Sequence, residues 1–145
     1  MRMIYDFKEN DRKMRVGLFR IGLAVAGATS APAFAADSNS SPAGAHGKAL
    51  YESCAPCHSL APNVTGIGPT LYGVFGRKAG TLASFRFSPA LKRSDITWDA
   101  KTLDSFIENP QHAVSGNRMP FSGMKEAADR AALIDYLGVA AAPAK

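Results

Sequence analysis

The sequence predicts an all-α domain, with short helices joined by long loops. Three observations carry this expectation. Apolar residues recur at helical spacing in two late segments, Leu103/Phe106/Ile107 and Leu133/Ile134/Tyr136/Leu137. Between Ser59 and Thr97 no stretch alternates well enough to form a strand, and the segment is broken by Pro62, Gly66, Gly68, Pro69, Gly73, Gly76 and Gly80. A loop of that length is unusual in a compact domain unless it wraps something. The third observation, Cys54-Ala55-Pro56-Cys57-His58, supplies what it would wrap.

The first 35 residues are expected to lie outside the fold. Six basic residues (Arg2, Lys8, Arg12, Lys13, Arg15, Arg20) precede the apolar run Ile21–Ala28, and Ala33-Phe34-Ala35 follows. A basic, then apolar, then A-x-A pattern is that of a secretory signal, with cleavage expected after Ala35. Met14 offers a shorter and more ordinary start. The apolar run is too short for a spanning helix, which needs about 20 apolar residues. Residues 36–44 are expected to be a flexible N-terminal segment, 45–138 the domain, and 139–145 a flexible tail.

Within the domain, Ser41-Pro42 can open a first helix running to about Ser53, with Leu50 and Tyr51 on its apolar side. Gly47 inside that helix costs ~1 kcal/mol relative to alanine, so its expected role is close contact with another backbone. Asp99 is the expected N-cap of the next helix, which Asn109-Pro110 ends. The last helix is expected over Lys125–Leu137, with Gly138 as its cap.

The full chain has 17 Lys+Arg and 12 Asp+Glu, a net charge of +5. The leader holds six basic and three acidic residues, so residues 36–145 carry only +2. The basic balance is therefore mostly the leader's and implies no nucleic-acid partner. About 110 residues make one domain, with a core small enough to need an apolar cofactor.

The two cysteines of the chain stand three apart, with His58 directly after the second. This is the attachment pattern of a c-type haem. Each thiol adds across one vinyl group, and the following histidine becomes an iron ligand. Two other readings compete. A zinc site needs two more ligands, and only His46 and His112 remain, at irregular spacing. A redox dithiol wants a strand before it and a βαβ unit around it, whereas a helix is expected there. No serine–histidine–aspartate set, phosphate loop or carboxylate pair stands out, so no enzyme is expected.

In order along the chain, the sequence resembles the small soluble class I cytochromes c, in the mitochondrial-like form that bacteria also make. The resemblance runs from about Gly47 to Leu137. It rests on Gly47 with Tyr51, on Cys54–His58, and on Gly68-Pro69-Thr70-Leu71-Tyr72-Gly73 followed by Phe75-Gly76-Arg77. It continues through Ile96-Thr97-Trp98, Leu103 to Asn109-Pro110, Gly116-Asn117-Arg118-Met119, and Leu133-Ile134-Asp135-Tyr136-Leu137.

The resemblance implies the small cytochrome c fold wrapped around one haem c, covalent through Cys54 and Cys57. It implies that His58 and Met119 are the iron ligands, the thioether favouring the ferrous state. It also implies that the Pro69 carbonyl orients His58, that Arg77 and Trp98 serve the haem propionates, and that Phe121 shields the haem edge. Met124 is expected to be an apolar filler. Four residues depart from the family's frequent choices: Phe106 and Phe87 for tyrosines, Asn117 for threonine and Leu91 for asparagine. Arg118 and Lys125 flank the ligand loop and are candidates for a docking rim.

A doubly ligated iron has no open coordination site, so the implied function is a periplasmic one-electron carrier. Its partners would be redox proteins docking at the haem edge: a membrane cytochrome complex, an oxidase, a reaction centre or a dehydrogenase. The protein itself would be a monomer. The rivals are a haem subunit dedicated to one dehydrogenase, and a peroxidase or gas-binding protein with a labile Met119.

Overall fold

The structure is a computed structural model that describes residues 42–143. The expected signal, its cleavage site and most of the segment 36–44 lie outside the described residues. Five helices follow in order: α1 Pro42–Tyr51, α2 Pro89–Arg93, α3 Ala100–Glu108, α4 Pro110–Ala113 and α5 Ala127–Ala140. Among the described residues there is no strand, only an isolated antiparallel bridge between Lys78 and Thr97. None of their helices is long and apolar enough to cross a membrane.

Helix α3 starts as its sequence predicts. The Asp99 carboxylate accepts from the Thr102 amide at 2.7 Å, and the Thr102 hydroxyl accepts from the Asp99 amide at 2.8 Å. This reciprocal cap satisfies two otherwise orphaned donors. The helix then buries Leu103, Phe106 and Ile107 and stops at Asn109, because Pro110 cannot continue it. Pro110 instead opens α4, with Asn109 as its N-cap. In the same way Ser88 caps α2, its hydroxyl accepting from the Leu91 amide at 3.2 Å, with Pro89 in first place. Neither short helix is expected from periodicity, because four or five residues are too few to show one.

The Asp99 cap has a pH signature. Hydrogen bonds from the Thr102 amide and hydroxyl hold the carboxyl below its ordinary value of 3.8. A depressed carboxylate contributes stability that is present above its unfolded value and lost as pH falls through the folded value. Stability measured by circular dichroism should therefore fall on acidification below about pH 4. In Asp99→Asn, which keeps an acceptor oxygen, that part of the fall should be missing.

Helices α1 and α5 form the main contact. A Cβ added at Gly47 would stand 2.7 Å from the Tyr136 Cβ and would overlap the Ala132 carbonyl oxygen. The rings of Tyr51 and Tyr136 meet beside it, centroids 5.8 Å apart. The close approach expected at Gly47 is thus present. Leu133, 1% exposed, lies at the centre of the core with Ile134 and Leu137. Helix α3 joins α5 through Arg130, a buried side chain whose Nε donates to Asp104 Oδ1 at 2.7 Å. Its Nη1 donates to the carbonyls of Met124 and Lys125 at 3.0 and 2.8 Å, tying down the segment before α5.

Three boundaries differ from expectation. Helix α1 includes residues 42–44, which close the segment expected to be flexible. The last helix begins at Ala127 rather than Lys125, since Met124 and Lys125 give their carbonyls to Arg130. It also runs through Gly138 to Ala140, so Gly138 is not a cap. Nor does a loose tail start at 139, because Ala141 is 1% exposed and its carbonyl accepts from the Gly73 amide at 2.6 Å. A backbone hydrogen bond to the loop holds this end in place.

Candidate functional site

Helix α1 passes without a break in hydrogen bonding into the pentapeptide. The amides of Cys54 and Ala55 donate to the Tyr51 carbonyl, and those of Cys57 and His58 donate to the Cys54 carbonyl at 3.0 and 2.9 Å. Cys54 and Cys57 are therefore one turn apart on a helical turn, where residues three apart are neighbours. Both are half-buried. Burial pushes the Cys54 thiol up, with the Ser53 hydroxyl pulling the other way. A redox dithiol wants a strand before it and a βαβ unit around it, whereas here α1 leads into the turn and the elements among the described residues are helices. The zinc reading also fails, since no group of three His, Cys, Asp or Glu among the described residues could hold a metal ion.

His58 is held on three sides. Its Nδ1 lies 2.7 Å from the Pro69 carbonyl oxygen. A carbonyl only accepts, so Nδ1 carries the proton, and Nε2 keeps its lone pair for a metal. Gly68 lies against the imidazole. A Cβ there would stand 2.5 Å from Cε1 and 2.8 Å from Nδ1, so any larger residue would displace the ring. On the backbone side, the Tyr51 hydroxyl donates to the His58 carbonyl at 2.6 Å. Tyr51, expected only on the apolar side of α1, thus also makes a polar contact. Its position seven residues before His58, two helical turns, is the signal that was available.

The loop that carries Gly68 and Pro69 is folded by Thr70, 2% exposed. The Thr70 hydroxyl donates to the carbonyls of Ser59 and Ala61 at 3.1 and 2.8 Å and accepts from the Tyr72 amide. Arg77 braces the same loop from beneath, donating to the carbonyls of Thr70 and Tyr72 at 3.0 and 3.1 Å. Burial lowers its pKa. Arg77 is set beside Trp98 by main-chain pairing, Trp98 amide to Arg77 carbonyl at 3.0 Å and Gly76 amide to Trp98 carbonyl at 2.8 Å. The Trp98 indole is buried edge-to-face on Phe106, centroids 5.1 Å apart.

Met119 sits in an irregular segment after α4. Its amide donates to the Asn117 side-chain oxygen at 2.8 Å, an Asx-turn. The Asn117 amide group in turn donates to the carbonyls of Pro110 and Val114 at 2.7 and 2.9 Å. Asn117 is buried and anchors the methionine segment to α4. In the sequence Asn117 stands out only as a departure from the family's frequent threonine, although an asparagine two residues before the methionine is itself a turn signal. Met119, Phe121 and Met124 are half-buried and pack on the core, as do Leu60, Leu71 and Leu91. Arg118 and Lys125 each donate to a carbonyl, Arg86 at 2.6 Å and Glu108 at 3.0 Å.

These groups suit a haem. Two thiols lie on one turn, an imidazole is fixed in the tautomer that leaves Nε2 free, and partly buried apolar side chains pack on the same core. Fold and site together define a small all-α protein built to hold a covalently attached haem.

The comparisons with known proteins agree. The family described as cytochrome c matches residues 44–140. Cytochrome c2 iso-2 of Magnetospirillum fulvum is 49% identical over 84 residues, covering 58% of this chain and 88% of that one. Cytochrome c2 of Blastochloris viridis is 36% identical over 127 residues, covering 87% and 91%. Among solved structures, cytochrome cH from Methylobacterium extorquens superposes with a TM-score of 0.61 at 36% identity, covering 65% of this chain and 95% of that one. The chain belongs to the cytochrome c family, in its class I bacterial form, and its haem is bound through Cys54 and Cys57.

Proposed function

We propose that this electron-carrying cytochrome works in the periplasm, with His58 and Met119 as its iron ligands. It would pass single electrons from a membrane cytochrome complex or a dehydrogenase to an oxidase or a reaction centre. The observation that carries this reading is the His58–Pro69 hydrogen bond, which commits Nδ1 as a donor and keeps Nε2 available. The haem supplies the one-electron exchange between ferric and ferrous iron. The chain's residues position and shelter it. Pro69 and Gly68 fix the imidazole, and Asn117 sets the backbone that presents Met119. Arg77 and Trp98 would serve the haem propionates, and Phe121 would shield the haem edge. With His58 and Met119 both taken as ligands, the iron would keep no position for a substrate, which favours a carrier over a peroxidase or gas binder.

Export rests on the leader pattern, and the match to the Blastochloris viridis relative is longer than the helical domain. Mature protein is expected to begin at Ala36. Retention of residues 1–35 in the mass of protein purified from the periplasm contradicts that.

The ligand assignment is tested by absorption spectroscopy. The ferric protein should show a weak sulfur-to-iron band at the red edge of the visible spectrum, and Met119→Ala should abolish it. The same variant in the ferrous state should bind carbon monoxide promptly, whereas the parent should not. A band that survives in Met119→Ala removes Met119 as the ligand.

A further inference from the structure

Away from the haem-attachment turn, the structure contains a cleft of about 510 Å³ lined by Arg86, Phe87, Pro89, Lys92, Arg93 and Arg118. Four of the six lining residues are cationic and none is acidic. The volume is in the range of small-molecule sites. The ion pairs among the described residues are His46–Asp129, Lys78–Asp95 and Arg130–Asp104. None of the four cations in the cleft therefore pairs with a carboxylate side chain among the described residues. Like charges brought together around one cleft repel, and a ligand of opposite sign relieves that repulsion.

The cleft is also built rather than a chance meeting of loose side chains. Its walls come from two separate segments, residues 86–93 and Arg118. The Arg118 guanidinium ties them together by donating to the Arg86 carbonyl at 2.6 Å, one bond from a fork that carries five N–H groups. Helix α2 is seated by Gly80, where a Cβ would stand 2.7 Å from the Lys92 Cα. Phe87 is half-buried and braced edge-to-face by Phe85, centroids 4.8 Å apart, giving the cleft an apolar wall. Three arginine forks favour a ligand with several equivalent oxygens, and four cations favour more than one negative charge.

We propose that this cleft binds a small, multiply charged oxyanion of the phosphate class. The occupant would lie beside Arg118 and so next to the Met119 segment. The test is an amide NMR titration of the ferrous holoprotein with sodium pyrophosphate, ionic strength being held constant with sodium chloride. Saturable shifts are expected in residues 86–93 and 117–119. The double variant Lys92→Gln/Arg93→Gln, at two exposed positions outside the haem-binding set, should weaken binding about tenfold or more. Removing equal charge elsewhere, in Lys48→Gln/Lys101→Gln, should change it by about twofold or less.

Equal weakening by both double variants means unspecific attraction and overturns the proposal. So does equal saturation by chloride. Absence of saturable shifts in the holoprotein also overturns it, including the case in which the haem's own carboxylates fill the cleft. The ligand and carrier assignments are read from absorption spectra and are unaffected by any of these results.

Discussion

Gly47→Ala should destabilise the folded protein by up to about 2 kcal/mol, although alanine is the better helix former. The intrinsic gain from glycine to alanine in a helix is ~1 kcal/mol. Against it stands the α1–α5 contact, where the new methyl carbon meets the Ala132 carbonyl and lies 2.7 Å from the Tyr136 Cβ. Neither obstacle is the flexible end of a side chain, so the helices must separate, and overpacking of this kind typically costs ~1–3 kcal/mol and sometimes more. Gly138→Ala is the matched control. Gly138 also lies inside a helix, α5, and a Cβ there has only the Phe75 Cζ within reach, at 4.0 Å. That variant should gain about 0.5–1 kcal/mol. Denaturant unfolding of the ferric holoprotein measures both. Equal gains would mean that the two helices do not touch at Gly47.

Asn117→Ala should cost about 2–3 kcal/mol and should act first on the methionine segment. Three hydrogen bonds are lost, two donated to the Pro110 and Val114 carbonyls and one accepted from the Met119 amide. Each is worth ~1 kcal/mol net. The two carbonyls keep other donors, since Pro110 accepts from the Val114 amide and Val114 from the Asn117 amide. The Met119 amide has no such second bond in the described structure, so the loss concentrates at the proposed ligand. The sulfur-to-iron band should therefore fade at a lower denaturant concentration than the helical circular dichroism does. In the parent protein the two should fall closer together. If both signals shift together and by the same amount, Asn117 supports the fold in general and not the Met119 segment.

How far the site could be read in advance depended on the range of the interactions. The Cys54–His58 turn is local, since thiol spacing and the following imidazole are set by one helical turn. The α3 cap is equally local, made by Asp99 and Thr102 alone. The roles of Asn117 and Tyr51 were not read, although each has a sequence cue. A single asparagine or tyrosine has too many uses for its type to select one. Arg130 was missed for a different reason. Its partners are Asp104 on another helix and the Met124 and Lys125 carbonyls, and nothing in the sequence brings these together. Helices α2 and α4 were too short to show a period, and the extension of α5 past Gly138 depends on a backbone bond to distant Gly73.

The linear order of residues determined by itself the covalent attachment turn, the imidazole that follows it, the capped α3 and the apolar residues that α3 and α5 give to the core. Covalent spacing and helical period act over a few residues and need no knowledge of the rest of the chain. Only the tertiary structure decided which imidazole nitrogen is free, which asparagine anchors Met119, and where four cations with no carboxylate side-chain partner among the described residues line one cleft. Those outcomes arise when loops far apart in sequence pack together, because hydrogen-bond direction and charge proximity are properties of positions in space.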